Sequence, residues 1–558
     1  MRSAPIQSPK GLTVRGIAGT YVVLLAFDCA KTYCDGLLGF GIERHDHENG
    51  ETTWLRGLKK FDLPASDDGA DVSTRHHPVQ KFHWGDYTTK PGRTYTYTVH
   101  AFKGKPASLQ EFDSVGVEVT CEKPEQVGKN GHAVHFNRSA AASQAFANRF
   151  PHLPKGDVED AAARTWLSRG LAEALIAFID GTNKGEGLRL FLYEFDKDDY
   201  AEALRRAKAR GVKLQILYDA IVKIKKSKGK KDQKTGPSVA SVPLMRKYAL
   251  KDLAEGRTGS GLNISHNKFM VRTDKAGKPV AVWTGSTNFT DSGVYGQTNV
   301  GHAIADPSLA ATYLKWHQDI WGKSGTSAAD SRNLVIGLTT VPATTAPGTT
   351  LVLSPRTTTE AVTECAKLVS GAGRMVCFTA PFALHDDLEK ALASAPAQVF
   401  GLLNKDSVVG KSLHQAPNTL LAAAGALDRE SVLEAWQGRL LKESMQHSGV
   451  YIHTKIIIVD ALSENPIVVT GSANFSNNSS VNNDENQLFI FGEKEVADVY
   501  LGEFMRMFDH YYFRSRSKAA EAQKKTNPKA GFLDETDAWA KGYFDGGPRQ
   551  ALRLAFFH

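Results

Sequence analysis

One pattern occurs twice in this chain, and that repetition limits what it can fold into more than anything else. His266-Asn267-Lys268 is followed by Gly285-Ser286-Thr287-Asn288. His453-Thr454-Lys455 is followed by Asp460 and then Gly471-Ser472-Ala473-Asn474. The two histidines stand 187 residues apart, and the two glycines 186. Val212 and Val399, and Asp219 and Asp406, repeat the 187-residue interval. Landmarks in one register point to an internal duplication, hence to two lobes of similar build.

Each half carries a strand–helix–strand pattern ahead of its motif. In the first, Leu188–Tyr193 reads as a buried strand, Asp198–Arg210 as a helix stopped by Gly211, and Val212–Tyr218 as a second strand. In the second, Met375–Phe378, Asp386–Ala395 and Val399–Leu403 repeat the order. Strands alternating with helices predict parallel neighbours in a sheet covered on both faces. Before the first unit, Val158–Ile179 reads as one helix, with Trp166, Leu167, Leu171, Leu175 and Phe178 at three- and four-residue spacing. A Thr/Pro/Ala/Gly-rich stretch, 339–350, separates the halves as a linker.

The motif residues suit one chemistry. In a strand, residues two apart share a face, so His266 and Lys268, and His453 and Lys455, are expected to line one pocket. Glycine lets backbone approach an anion closely. Ser286, Ser472, Asn288 and Asn474 supply short neutral donors, and lysine a compact positive charge. Two histidines and this ring of donors suit cleavage of a phosphodiester: one imidazole attacks phosphorus, and the other protonates the leaving oxygen and then activates water. Lysines and asparagines stabilise the equatorial oxygens. The motifs hold no acidic cluster for a metal, and the chemistry calls for no cofactor.

His-x-Lys with a following Asp and Gly-Ser-x-Asn resembles the HKD motif of the phospholipase D superfamily, over residues 150–515. The resemblance implies a two-lobed α/β/α fold with the active site between the lobes, with His266 as nucleophile and His453 as general acid. In the family an acid follows the His-x-Lys. Asp460 stands there in the second motif; the first has Thr273, with Asp274 one residue on. The family also places an orienting acid about fourteen residues after the glycine, where the second half has Glu485 and the first has Asn299, flanked by Gln297. An asparagine fixes a tautomer but does not stabilise an imidazolium as a carboxylate does. The basicity of the first motif's histidine is therefore in question. His302, His385 and His447 near the motifs read as core or solvated histidines, and Lys405 as a surface charge.

Residues 1–122 read as a separate all-β domain. Thr20–Phe27, Gly36–Glu43 and Thr94–Ala101 are strand candidates, and the stretch from Trp84 to Ala101 resembles the last strands of a fibronectin type III or immunoglobulin-like sandwich. Such a module binds or orients, so a protein partner is expected there. Residues 123–150 read as a linker, 151–335 and 351–515 as the lobes with 336–350 between them, and 516–558 as a tail whose aromatics dock it on the body. The five cysteines match no zinc spacing and read as scattered buried thiols, with a Cys29–Cys34 disulfide left open.

The net charge of +8 is concentrated between Lys223 and Lys234, which holds seven lysines. No apolar run reaches the ~20 residues of a membrane span and no signal core opens the chain, so a cytoplasmic protein is expected. The lysine-rich segment leans the substrate toward nucleic acid, hence a nuclease. A phospholipid head-group diester and a catalytically weak phosphate-binding scaffold stay open as alternatives, and the oligomeric state is undetermined.

Overall fold

The computed structural model describes residues 2–63, 72–139, 145, 149–150, 160–225, 233–424, 450–523 and 531–557. Lys226, Lys228, Lys230, Lys231 and His447 lie outside the described residues.

The first 120 residues form two antiparallel sheets of four strands each. One joins Ile6–Gln7, Thr13–Ala18, Val23–Asp28 and His83–Asp86. The other joins Glu51–Trp54, Gly39–Asp46, Thr94–Lys105 and Ser108–Thr120. Alternation sets their inner face: Tyr95, Tyr97, Val99 and Ala101 are fully buried, whereas the intervening threonines and His100 are not.

Each lobe is built on a mixed sheet. In the first lobe the order is Ala254–Arg257, Lys213–Asp219, Gly187–Leu192, Lys268–Thr273, Pro279–Gly285, Val300–Ile304 and His132–Phe136. In the second it is Ile264–Ser265, Asn483–Phe491, Ile467–Gly471, Ile457–Val459, Met375–Ala380, Gln398–Leu403 and Thr419–Ala423, with Gly348–Ser354 also pairing Asn483–Phe491. Only the strand–helix–strand neighbours are parallel; the motif strands run antiparallel beside them. The expectation of parallel neighbours therefore covers half of each sheet.

Three segments differ from the sequence reading. His132–Phe136, expected within a linker, is the edge strand of the first lobe, in register with Val300–Ile304; its apolar Val134 and Phe136 bury against the sheet. The single helix expected over 158–179 is two, Ala161–Ser168 and Leu171–Asp180. Arg169 and Gly170 between them adopt φ of 50° and 90°, a left-handed turn that no helix continues through. Within the stretch read as the inter-lobe linker, Gly348–Ser354 pairs along its length with Asn483–Phe491.

The register also corrects the repeat. Leu190 pairs with Met270 and Phe378 with Ile457, so Leu192 corresponds to Ala380. Leu192 pairs with Tyr218 and Ala380 with Leu403, which makes Asn404 the counterpart of Asp219. Asp406 instead opens a short 3-10 turn. The 187-residue interval holds at the histidines but not at these strands, where the connection is two residues shorter.

Beyond the lobes, the long helix Lys494–Gln523 packs against both, and the tail returns to the body. Trp539 and Tyr543 enter the sandwich core, with the Trp539 indole N–H donating to the Leu37 carbonyl at 2.9 Å. Phe556 lies against Phe400 of the second lobe. All five cysteines are buried and free, with Cys29 and Cys34 sulfurs 3.7 Å apart.

Candidate active site

The two motifs meet across the lobe boundary, and each docks on the other lobe. Ile264–Ser265 runs parallel to Asn483–Asp484, and the His266 N–H donates to the Asp484 carbonyl at 2.8 Å. Ile452 makes the matching parallel bridge to Thr298, and the His453 N–H donates to the Thr298 carbonyl at 3.2 Å. Each histidine therefore sits beside the residue that follows Thr298 or Asp484 in the opposite half.

That placement exchanges the orienting partners. His266 Nδ1 lies 2.8 Å from Glu485 Oε2, and His453 Nδ1 lies 2.9 Å from Asn299 Oδ1. The sequence reading paired each histidine with the orienter of its own half and so questioned the basicity of His266. The structure reverses this: His266 has the carboxylate and His453 the amide. The serines hold the orienters from within their own lobes, with Ser472 Oγ donating to Glu485 at 2.8 Å and Ser286 Oγ to Asn299 at 2.7 Å.

The glycines ahead of the serines have a steric reason. Gly285 and Gly471 adopt φ of 129° and 137°, and a Cβ there would stand 2.3 Å and 2.4 Å from the carbonyls of Val300 and Asn486. Only glycine lets the turn press onto the neighbouring strand so that Ser286 and Ser472 point at the orienters.

The lysines are held at their bases. Lys268 Nζ donates to the His266 carbonyl at 2.7 Å, and Lys455 Nζ to the His453 carbonyl at 2.6 Å. His266, His453, Lys268, Lys455, Asn288, Asn474, Ser286 and Ser472 are all buried or nearly so. Asn288 Oδ1 and Asn474 Oδ1 are buried with no hydrogen-bond partner among the described residues.

Asp460 and Asp274 lie elsewhere. Asp460 is seven residues past His453, at the opposite end of the strand. Its carboxylate accepts the N–H groups of Gly373, Arg374 and Met375 at 2.8–2.9 Å, and its φ is 47°. Asp274 forms a hairpin turn in which its side chain accepts from the Lys278 N–H at 2.8 Å. Both support loops, and neither touches a motif histidine. His302 is a core histidine between His132 and Tyr500, His385 caps a helix through Asp387, and Lys405 is exposed.

Two residues at this site escape motif reading. Tyr193 packs edge-on against the His266 ring, centroids 4.8 Å apart, and Lys268 Nζ lies 5.0 Å from the Tyr193 ring centre. Glu194 accepts a hydrogen bond from Asn288 Nδ2. Both follow the carboxyl end of the strand Gly187–Leu192, where open α/β sheets hold ligands; that position was the available signal. In register, their counterparts are Pro381 and the exposed Phe382.

Burial governs the electrostatics. It pushes His266 down to about 4 although Glu485 pulls the other way. Burial would raise Glu485, but His266 and Lys268 outweigh it and hold the carboxyl below its usual range. The pair is thus a neutral imidazole donating Nδ1–H to a carboxylate, with Nε2 carrying a free lone pair. Burial takes Lys268 down to about 8. It depresses Lys455 and His453 strongly, aided by the neighbouring cationic groups. Burial raises Glu194. A phosphodiester anion set among these groups would counter the crowding of positive charge and raise the lysines and His453 again.

Comparison with known proteins agrees with this geometry. Residues 175–321 and 381–508 match the family described as "Cardiolipin synthase, PLD-like domain". Similar solved structures include Nuc from Salmonella typhimurium, described as a phospholipase D family member (27% identity, 27% of this chain and 87% of that one, TM-score 0.21). Phosphatidylserine synthase from Haemophilus influenzae Rd KW20 is similar over 70% of this chain and 100% of that one (12% identity, TM-score 0.42). NucT from Helicobacter pylori is similar over 28% of this chain and 89% of that one (18% identity, TM-score 0.21). Among curated proteins nothing matches. The chain therefore carries a PLD-like domain of the cardiolipin synthase type, preceded by a small all-β region. No helix among the described residues is long and apolar enough to cross a membrane.

Proposed function

We propose that this PLD-like protein is a phosphodiesterase working through a covalent phosphohistidine, with His266 as nucleophile and His453 as acid and base. One observation carries the assignment: the exchange of orienters, which gives Glu485 to His266 and Asn299 to His453. Glu485 accepts Nδ1–H, leaves the Nε2 lone pair of His266 for phosphorus, and offsets the charge that develops on the imidazole as the N–P bond forms. Asn299 holds the tautomer of His453 without a negative charge, so a protonated His453 remains a strong acid. In the first step the leaving oxygen takes the proton from His453. In the second, His453 removes a proton from water, and the resulting hydroxide displaces His266 from phosphorus. Lys268, Lys455, Asn288 and Asn474 surround the phosphoryl oxygens.

Nucleic acid, the substrate class expected from the sequence, keeps support in Lys223, Lys225 and Lys234 beside the pocket. The aliphatic side chains set among these lysines favour a second reading, a diester presented at a lipid surface. The all-β region is proposed to orient the lobes or a partner, in the manner of a fibronectin type III-like module.

The test is hydrolysis of bis(4-nitrophenyl) phosphate in EDTA. His266→Ala should lower the rate by about 10⁴-fold or more and form no covalent intermediate. His453→Ala should still release the first nitrophenolate, a good leaving group that needs no acid, and should then accumulate phosphohistidine. Equal rates for wild type and His266→Ala would establish the scaffold alternative; an intermediate trapped in His266→Ala would exchange the two roles.

A further inference from the structure

The edge of the pocket on the His266 side is apolar as well as basic. The strand Lys213–Asp219 ends at Asp219, whose carboxylate accepts the N–H groups of Ser265 at 2.6 Å and Ile221 at 3.0 Å. The segment after it is thus rooted one residue from His266. It continues as a hairpin pairing Lys223 with Thr235, Ile224 with Lys234 and Lys225 with Gln233. Val222 and Ile224, two apart and on one face, are 46% and 62% exposed. The chain then enters the helix Ser238–Lys247, with Val239 51% exposed in its first turn. Ser241 Oγ accepts from the Phe195 N–H at 3.2 Å and ties this helix to the segment bearing Tyr193 and Glu194. Across the pocket, Phe382 is 46% exposed at the position matching Glu194.

Single exposed apolar residues are ordinary on a protein surface, but clusters are not. Of the eight exposed large apolar side chains among the described residues, these are four, and all belong to segments flanking the catalytic groups. Their chemistry selects a partner. Single-stranded nucleic acid is gripped by cations and aromatic platforms on which bases stack; valine and isoleucine offer no such face. Aliphatic side chains interleaved with lysine suit the boundary between headgroups and acyl chains, with the lysines at anionic headgroups.

We propose that Val222, Ile224, Val239 and Phe382, with Lys223, Lys225 and Lys234, form a docking surface that seats the mouth of the catalytic pocket on an anionic phospholipid bilayer. Only the phrase "catalytic pocket" rests on the function proposed above; the docking itself needs no turnover.

The experiment is flotation of the full chain with vesicles of phosphatidylcholine alone or mixed with phosphatidylglycerol. The wild type should float with the mixed vesicles and much less with the neutral ones. The triple variant Val222→Ser, Ile224→Ser, Val239→Ser should partition about tenfold more weakly or worse, since each change removes methyl groups from the inserted face. The variant Lys223→Gln, Lys225→Gln, Lys234→Gln should lose the preference for anionic vesicles. Circular dichroism melting of both variants reports that they are folded. His266→Ala should float as the wild type does whether or not it hydrolyses anything, which keeps a failure of docking distinct from a failure of the catalytic reading. A wild type that stays with the unbound fraction, or an apolar triple variant that floats unchanged, would overturn the proposal. Lysine-dependent retention of a single-stranded DNA oligonucleotide without flotation would overturn it in favour of nucleic acid.

Discussion

The two halves of the site share a plan and differ in detail. Both histidines dock on a strand of the opposite lobe, and both orienters are held by a serine after a glycine of positive φ. Around His266 stand Glu485, Tyr193 and Glu194; around His453 stand Asn299 and, in register, Pro381 and Phe382. Duplication supplied the plan, and fusion into one chain let each copy take a separate task. The half that must become positively charged has a carboxylate, and the half that must release a proton has an amide.

Substitution at the orienters breaks this comparison most directly. Glu485→Gln keeps a hydrogen-bond acceptor for His266 but removes the charge. A fall of about 10²–10³-fold in kcat is expected, read by steady-state hydrolysis of a soluble diester. Asn299→Asp makes the two halves alike. The carboxylate should hold a proton on His453 more tightly, so the alkaline limb of the pH–rate profile should move up by about one pH unit. The rate at its optimum should change less than about tenfold, because the acid is weaker but still in place. An unmoved limb would show that His453 is not the titrating acid. Gly293 limits this variant, since its carbonyl accepts from Asn299 Nδ2 at 2.8 Å and would face a carboxylate instead.

Asp460→Ala separates fold from chemistry. Three backbone donors lose a carboxylate acceptor, so a loss of about 2–4 kcal/mol of stability is expected, seen as a lower denaturation midpoint, with kcat nearly unchanged. A large fall in kcat at full stability would return Asp460 to the catalytic machinery.

The smallest effect is on stability against pH. Burial holds His83 and His317 at about 3, and His132, His135, His266 and His510 at about 4. Each lies below the unfolded value near 6.5, so between about pH 6.5 and 4 the unfolded chain binds more protons, and stability falls as pH falls. Asp196, Asp219 and Asp498, raised to about 6, act in the opposite sense between about pH 6 and 4. Six groups outweigh three, and Tm should drop by about 5 °C or more from pH 7.5 to pH 5. A Tm that rises on acidification would show that the aspartates dominate.

Much of this was legible in the sequence. The pairing of motifs, the Gly-Ser turns and the strand–helix–strand units are local patterns whose spacing survives in one dimension. The exchange of Glu485 and Asn299 was not, because it depends on which strand of the opposite lobe each motif joins, and that long-range pairing leaves no period in the chain. Asp460 failed for a related reason: a carboxylate a few residues after a motif looks catalytic until the strand between carries it to the far end of the sheet. Tyr193 and Glu194 belong to no repeated motif, since the duplicated copy carries Pro381 and Phe382 instead.

The returning tail has a consequence for how the molecule is made. Trp539 and Tyr543 complete the core of the sandwich, Leu533 packs with Leu38 and Phe61, and Gln80 donates its amide to the Asp534 carbonyl. These side chains leave the ribosome after both lobes. The domain synthesised first therefore cannot close its core until the lobes have been synthesised, so on a ribosome that builds from the amino end the sandwich waits for the lobes, and its tryptophan is the last piece of its own interior to arrive.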